Sequence, residues 1–373
     1  MTVPILQIND LSVTFSGRQG KTQALKGVSF SINKGEVVAV VGESGSGKSV
    51  PSLSVMGLLP DSAHIDAGSI EFFGRNGTRH ALTSLSAESR RKLRGQEMSM
   101  IFQERMTSLN PVLRVGDQLT EGLLDHGLAN KATALSKARE LLKQVRIPDV
   151  ERILKCYPHE LSGGMRQRVM IAQALACDPA LLIADEPTTA LDVTVQAHIL
   201  QILRDLQRGT DMSVLFITHD MGVVAEIADR VVVMYQGKVV EQGSVTEIFA
   251  SAQHPYTRAL LAAVPKLGDM QGLKWPRRFP LLAAKTDQNI SPEKQSVADD
   301  RPHIFSADDD QKTANYDAPP LLDVRGLSVC YPLRSGVLSR VTKEVHAVEQ
   351  IDFSIWPGET LALVGESGCG KST

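Results

Sequence analysis

Apolar and polar positions alternate near the start of the chain: Leu6 and Ile8, then Leu11, Val13 and Phe15, then Val28, Phe30 and Ile32. A period of two sends successive side chains to opposite faces, so these segments predict half-buried antiparallel strands. Residues 37–41, 181–184 and 214–217 are instead apolar without a break. Such runs suit central strands covered on both faces. Between them Leu135, Ala138, Leu141, Leu142 and Val145 recur at helical spacing, which predicts an amphipathic helix over 133–145. The combined pattern predicts an α/β domain with a mixed sheet core, an antiparallel β annex and a helical insertion. Over 283–320 the periodicity gives way to Ser291-Pro-Glu-Lys, Asp299-Asp-Arg-Pro and Asp308-Asp-Asp, a polar interdomain linker.

The pattern also repeats. Leu11-Ser-Val-Thr-Phe15 recurs as Leu327-Ser-Val-Cys-Tyr331, and Val41-Gly-Glu-Ser-Gly-Ser-Gly-Lys-Ser49 recurs as Val364-Gly-Glu-Ser-Gly-Cys-Gly-Lys-Ser372. The same domain starts twice, with extra residues in the second copy at 332–343. Because the sequence stops at Thr373, the second copy is expected to be a fragment. The expected organisation is a first domain at 1–250, an extension at 251–282, the linker at 283–320 and the partial second copy at 321–373.

Composition narrows the classes. A length of 373 residues predicts two or three domains at roughly 100 to 200 residues each. With 42% apolar and 22% charged residues the chain has material for a buried core, which excludes wholesale disorder and a fibrous fold. Forty Lys+Arg against 42 Asp+Glu give a net charge of -2, so no global basic excess favours nucleic acid as a partner. No run approaches the roughly 18 apolar residues of a membrane span, and the first ten residues lack the layout of a secretory signal. Cys156, Cys177, Cys330 and Cys369 form no CxxC pair or zinc spacing and are expected as reduced thiols.

Three segments carry chemistry. Gly42-x-x-x-x-Gly47-Lys48-Ser49 follows a strand and opens a helix, the context of a phosphate-binding P-loop. Its glycines, including Gly45, let backbone N–H groups around Ser44 turn inward on a phosphate. Lys48 reaches the β and γ oxygens, and Ser49 can ligate Mg²⁺. A chance match in one chain has odds on the order of 1 in 100, and two matches inside a repeat remove coincidence. Pro51 falls in the first turn of the following helix, where a missing N–H costs little. Asp185 and Glu186 end an apolar strand, suiting a metal-facing Asp followed by a water-polarising Glu. Taken alone that pair is weak, since acidic residues often end strands. Leu161-Ser162-Gly163-Gly164-Met165 precedes a helical run, and its exposed amides form a second anion site. A simple Ser N-cap explains Ser162 but not the paired glycines.

Together these segments resemble the ATP-binding cassette (ABC) ATPases, whose signature motif reads LSGGQ or LSGGM. The resemblance covers the first copy completely and the second through its P-loop, implying a P-loop ABC-type cassette followed by a partial second one. It implies ATP and Mg²⁺ as cofactors, with Asp185, Ser49 and Gln103 at the metal. It implies Glu186 as catalytic carboxylate, Gln103 as Q-loop glutamine, His219 as switch histidine, Asp192 as D-loop aspartate and Phe15 as an adenine-stacking aromatic. In isolation Phe15 reads as core and His219 as an ordinary loop histidine; only the surrounding motifs favour the functional roles. In the second copy Tyr331, Gly365, Gly370, Lys371, Ser372 and Thr373 take the matching nucleotide positions.

The segment beginning His254-Pro-Tyr-Thr-Arg resembles the C-terminal extension of oligopeptide and dipeptide importer ATPases. Residues 102–111 resemble that subfamily's Q-loop region, except that Arg105 stands where the pattern has Pro. The resemblance implies an ATPase subunit for import of glutathione or a related small peptide, bound peripherally at the cytoplasmic face of a bacterial inner membrane. It implies two transmembrane permease subunits, a periplasmic solute-binding protein and a second cassette as partners. Dipeptide, oligopeptide or nickel import, a soluble non-transport ABC ATPase and an inactive fragment stay open as alternatives.

Overall fold

The computed structural model describes residues 4–17, 20–103, 108–189, 193–264, 268, 314–335, 340–366 and 369–373. The chain divides into two units, one of residues 1–191, 195–265 and 280–282, the other of 192–194, 266–279 and 283–373.

In the first unit the alternating segments form an antiparallel sheet. Strands β1 (Pro4–Gly17), β2 (Gly20–Asn33), β4 (Ala63–Phe73) and β5 (Arg79–Ala81) lie in the order β2-β1-β4-β5. Leu6, Ile8, Leu11 and Val13 are buried although Ile8 and Leu11 are three apart. An irregularity between them, with Asp10 at φ 49°, restores the inward phase.

The unbroken apolar runs build a second sheet, β10-β9-β3-β8-β7-β6. Its strands are β3 (Val37–Val41), β6 (Met98–Ile101), β7 (Leu181–Asp185), β8 (Ser213–Ile217), β9 (Arg230–Tyr235) and β10 (Lys238–Ser244). All pairings are parallel except the β9–β10 hairpin. Burial of every residue in β3, β7 and β8 follows from cover on both faces. In β7, Leu182 and Ala184 join a core with the helices, while Leu181 and Ile183 join the core shared with β1, β2 and β4.

The first helical core gathers α3 (Val115–Asp125), α4 (Lys131–Gln144), α5 (Val150–Ile153), α6 (Gly163–Ala174) and α7 (Val193–Thr210), following α1 (Ser49–Met56) and α2 (Ala87–Leu93) in the chain. The helix expected at 133–145 is α4, beginning slightly earlier because Asn130 and Thr133 cap each other's backbone N–H groups. The remaining helices, α8 (Met221–Ile227), α9 (Val245–Ser251) and α10 (Pro255–Ala262), pack with β3 and β9 through Met221, Val224, Ile248 and Tyr256. No helix among the described residues is long and apolar enough to cross a membrane, and none of the four cysteines is paired.

In the second unit β11 (Leu322–Ser335) and β12 (Arg340–Ile355) form an antiparallel pair. Its register reproduces the first copy's irregularities. Ile8, Leu11 and Val13 oppose Phe30, Val28 and Leu25, just as Val324, Leu327 and Val329 oppose Phe353, Ile351 and Val348. Gly326 at φ 57° takes the place of Asp10. Burial differs: Leu11 and Val28 are fully buried, whereas Leu327 and Ile351 are 39% and 37% exposed. Residues 360–364, the counterpart of β3, form no strand, since among the described residues no strand pairs with them. Residues 314–320, at the end of the expected linker, meet this unit through Asn315, whose N–H donates to the Pro357 carbonyl, and through Tyr316, whose ring lies on Trp356. Residues 283–313 of that linker lie outside the described residues, as do Arg105 and Asp192.

Candidate nucleotide site

Parallel pairing brings the C-terminal ends of β3, β6, β7 and β8 to one edge of the sheet, the place where open α/β sheets bind ligands. From these ends emerge residues 42–48, Gln103, Glu186 and His219. The loop after β3 wraps over Lys48, which is 6% exposed and donates to the Glu43 carbonyl at 2.7 Å. Burial lowers the pKa of its ammonium, against the raising pull of Glu186, Asp185 and Glu43. Ser46 is also buried, and its Oγ has no hydrogen-bond partner.

At the start of α1, Ser49 Oγ donates to Asp185 Oδ1 at 3.0 Å. Asp185 is 4% exposed, and burial pushes its carboxyl above the ordinary aspartate value despite that bond. A hydroxyl and a desolvated carboxylate side by side are hard oxygen donors that fit Mg²⁺, which is usually held by one or two carboxylates together with phosphate oxygens. Among the described residues no group of three or more His, Cys, Asp or Glu side chains could hold a metal ion by itself. An ion at this place would therefore draw its other ligands from water and the nucleotide.

Glu186 is held from three directions. Gln103 Nε2 donates to its Oε2 at 3.1 Å, Thr189 Oγ1 donates to the same oxygen at 2.9 Å, and His219 Nδ1 lies 3.2 Å from its Oε1. Its backbone sits at φ 46°, an uncommon conformation for a residue with a side chain, and its N–H donates to the Ile217 carbonyl at 2.9 Å. Burial pushes the carboxyl up. The bonds from Thr189 and His219, with the charges of His219 and Lys48, outweigh that and hold it below the ordinary glutamate value.

The structure thus brings together Lys48, Ser49, Gln103, Asp185, Glu186 and His219. The segment 161–165 stands apart, for among the described residues no hydrogen bond joins Ser162, Gly163 or Gly164 to the cluster. Ser162 Oγ accepts the Met165 N–H at 3.3 Å and caps α6, Gly163 faces open space, and Gly164 lies against Val195. Phe15 pairs with Thr22 near the end of β1 and is half-buried against the antiparallel sheet's core. In the second unit Lys371 donates to the Gly365 carbonyl at 2.7 Å and the Glu366 carbonyl at 2.5 Å, the latter matching Lys48 on Glu43. Ser372, Thr373 and Tyr331 are exposed there, and Gly370 approaches the Ala347 carbonyl as Gly47 approaches that of Ala24.

Two contacts were not expected from sequence. Thr189 stands three residues after Glu186, its N–H closing a turn on the Glu186 carbonyl. A hydroxyl at that offset from a strand-ending carboxylate is the signal that could have found it. The other is Tyr256, whose hydroxyl accepts the Glu43 N–H at 2.8 Å across 213 positions of sequence. No local pattern reports such a contact.

The family profile described as ABC transporter matches residues 25–189 and 348–373, just over half of the chain. The chain belongs to the ABC transporter family. A second profile, the oligopeptide/dipeptide transporter C-terminal region, matches residues 240–285 of this ABC chain. Over 370 residues it is 55% identical to the glutathione import ATP-binding protein GsiA of Escherichia coli and 54% to that of Shigella sonnei. Those alignments cover 99% of the chain but 57% of each relative, so the chain spans little more than half the length of the curated relatives it matches. Among solved structures it is similar to a dimeric post-hydrolysis state of the ATP-binding cassette MJ0796 bound to ADP and Pi, with a TM-score of 0.57 and 27% identity. That match covers 64% of this chain and 98% of the other. The family and the sheet order together make the fold that of a P-loop ABC cassette, as expected.

Proposed function

We propose that the first unit binds ATP with Mg²⁺ and hydrolyses it to drive import of glutathione or a related small peptide. The observation that carries the reading is the triply held Glu186 beside Lys48, Ser49 and Asp185 at the sheet edge. Backbone N–H groups of 42–48 cradle the phosphates, and the Lys48 ammonium neutralises the β and γ oxygens. Ser49 and Asp185 would hold Mg²⁺, with Gln103 as the further residue the family pattern assigns to it; the ion would supply charge neutralisation at the transferring phosphoryl group. Glu186, kept ionised at neutral pH, orients and polarises the attacking water. His219, exposed at the end of its loop, contacts the γ-phosphate, and Phe15 offers a face to adenine.

The open face of Gly163 and the cap at Ser162 support a role toward the phosphates of another cassette, and the family pattern gives Asp192 the D-loop role. The second copy's loop, through Gly365, Gly370, Lys371, Ser372 and Thr373, with Tyr331 at the adenine position, takes the corresponding place in a second cassette. The names of the curated relatives and the match over 240–285 support peptide-type import. Two permease subunits, a periplasmic solute-binding protein and residence at the cytoplasmic face of the inner membrane follow from that reading. The domain division at 250, 282 and 320 belongs to it as well.

The test is ATP affinity and turnover together with glutathione uptake in cells carrying the permease. Lys48→Ala should lose tight ATP binding, whereas Glu186→Gln should bind ATP and lose turnover and uptake. Normal turnover in Glu186→Gln would remove this carboxylate from the mechanism, and uptake of another peptide class with no response to glutathione would replace the substrate.

A further inference from the structure

The C-terminal helix of the first unit reaches back to the phosphate loop through the hydroxyl of Tyr256. Glu241 on β10 accepts the N–H of Gln253 at 2.6 Å and of His254 at 3.0 Å, which clamps the start of α10 to the hairpin. His254 Nδ1 then accepts the Tyr256 N–H at 3.2 Å, and Pro255 occupies the first turn, where no N–H is needed. Tyr256, 7% exposed, is thereby laid on Tyr235 at the end of β9, with ring centroids 4.3 Å apart. Its hydroxyl accepts the N–H of Glu43, the second residue of the loop, at 2.8 Å. The Glu43 carbonyl accepts from Lys48, so one peptide residue is held on one side by Tyr256 and on the other by the phosphate-binding lysine.

We propose that Tyr256 is a positioning residue for the phosphate loop, acting through the Glu43 amide, so that residues 253–257 set the nucleotide affinity of the first unit. This deepens the ATP reading above and rests on it. A peptide plane anchored at its N–H keeps its neighbouring carbonyl aimed at Lys48. Without the anchor the loop can turn that carbonyl away, and Lys48 loses the acceptor that holds its ammonium in place. Burial raises the Tyr256 pKa to about 12, so the hydroxyl is a neutral partner at any working pH. The contact is therefore constant with pH, unlike a histidine in its place.

The experiment uses the 373-residue chain and Tyr256→Phe, which keeps the ring on Tyr235 and removes the hydroxyl. Expected are a loss of Mg·ATP affinity of about three- to tenfold, the range of one neutral hydrogen bond, and a nucleotide-free Tm lowered by no more than about 2–4 °C. Amide exchange in nucleotide-free protein should accelerate across residues 42–48 and stay unchanged in β7 and β8. Unchanged affinity and unchanged exchange over 42–48 would overturn the proposal. So would a general loss of protection throughout the unit, since that would make Tyr256 a packing residue only. Failure of the wild-type chain to bind ATP would defeat the ATP reading instead, while selective loss of protection at 42–48 in Tyr256→Phe would still uphold the tether.

Discussion

Three motif glycines should respond very differently to the same added methyl group. Gly42 has φ 150°, and a Cβ built there would lie 2.2 Å from the Met234 carbonyl oxygen, 3.2 Å from its carbon and 2.8 Å from Ser46 Oγ. Met234 is fully buried in β9, which is bonded to β3 on one side and β10 on the other, so its carbonyl cannot retreat alone. Backbone strain for an L-residue in such a conformation costs about 1–3 kcal/mol, and overpacking a dense interior adds about 1–3 kcal/mol. Gly42→Ala should therefore destabilise the first unit by about 4 kcal/mol, a fall in Tm on the order of 10 °C for a domain this size. If the loop swings outward instead, part of that energy appears as lost ATP affinity.

Gly45 has φ 81° but open space around it, so Gly45→Ala keeps only the strain cost of about 1–2 kcal/mol. Gly163, the first residue of α6, has neither a positive φ nor a neighbour within 4 Å. There alanine should be neutral or stabilising by less than about 1 kcal/mol. Thermal unfolding of the three variants, paired with ATP affinity for each, checks the order. A Gly42→Ala protein matching wild type in both readouts, or a Gly163→Ala protein as unstable as Gly42→Ala, would refute this account of the loop.

Asp185→Asn should raise the nucleotide-free Tm at pH 7, because a carboxylate whose pKa is raised by burial disfavours the folded state above that pKa. The gain should fade as pH falls through the raised folded value toward the ordinary ~3.9, and a constant gain from pH 8 to pH 4 would contradict it. Glu186 carries the opposite sign: its depressed pKa contributes stability above the ordinary ~4.3, lost only as pH falls through the lower folded value. Glu186→Gln should accordingly be less stable than wild type at pH 7 and converge with it in acid, as Tm against pH would show. Thr189→Val removes one of three bonds on Glu186 and should cut turnover about tenfold with ATP affinity retained; unchanged turnover would make the contact incidental. Since these 373 residues hold one Leu-Ser-Gly-Gly segment, hydrolysis per molecule should rise with protein concentration as cassettes pair. Gly163→Asp should abolish that rise by repelling phosphate while sparing the fold, because an acidic residue at a helix start stabilises it by about 0.5 kcal/mol. Turnover independent of dilution in a demonstrably monomeric sample would sink the pairing requirement.

What could be read in advance depended on how far apart in sequence the cause and its effect lie. Unbroken runs such as 37–41 announce cover on both faces, and the helix at 131–144 announces itself through its apolar stripe, while its earlier start, set by the Asn130–Thr133 cap, was not read. The strand irregularity at Asp10 left a trace too, a three-residue step from Ile8 to Leu11, and the same step from Val324 to Leu327 carries the same register into the second copy. Sequence also supplied Lys48, Ser49, Gln103, Asp185, Glu186 and His219 at the sheet edge, though not Thr189, and only the resemblance of their motifs to a family joined them. Parallel strands are linked by long crossovers, so Gln103 and Glu186 meet across 83 positions with no local sign of it. The exposed Leu327 and Ile351 were hidden for the same reason. Their pattern is that of buried strand residues, and burial is conferred by a sheet that in the first copy forms from residues as distant as β8 and β9. Tyr256 is the extreme case: its role is set by a clamp of Glu241 on α10, a ring on β9 and a hydroxyl on the loop after β3. Each link is an ordinary contact, and their sum makes a tether only once the hairpin β9–β10 has brought α10 beside the phosphate loop.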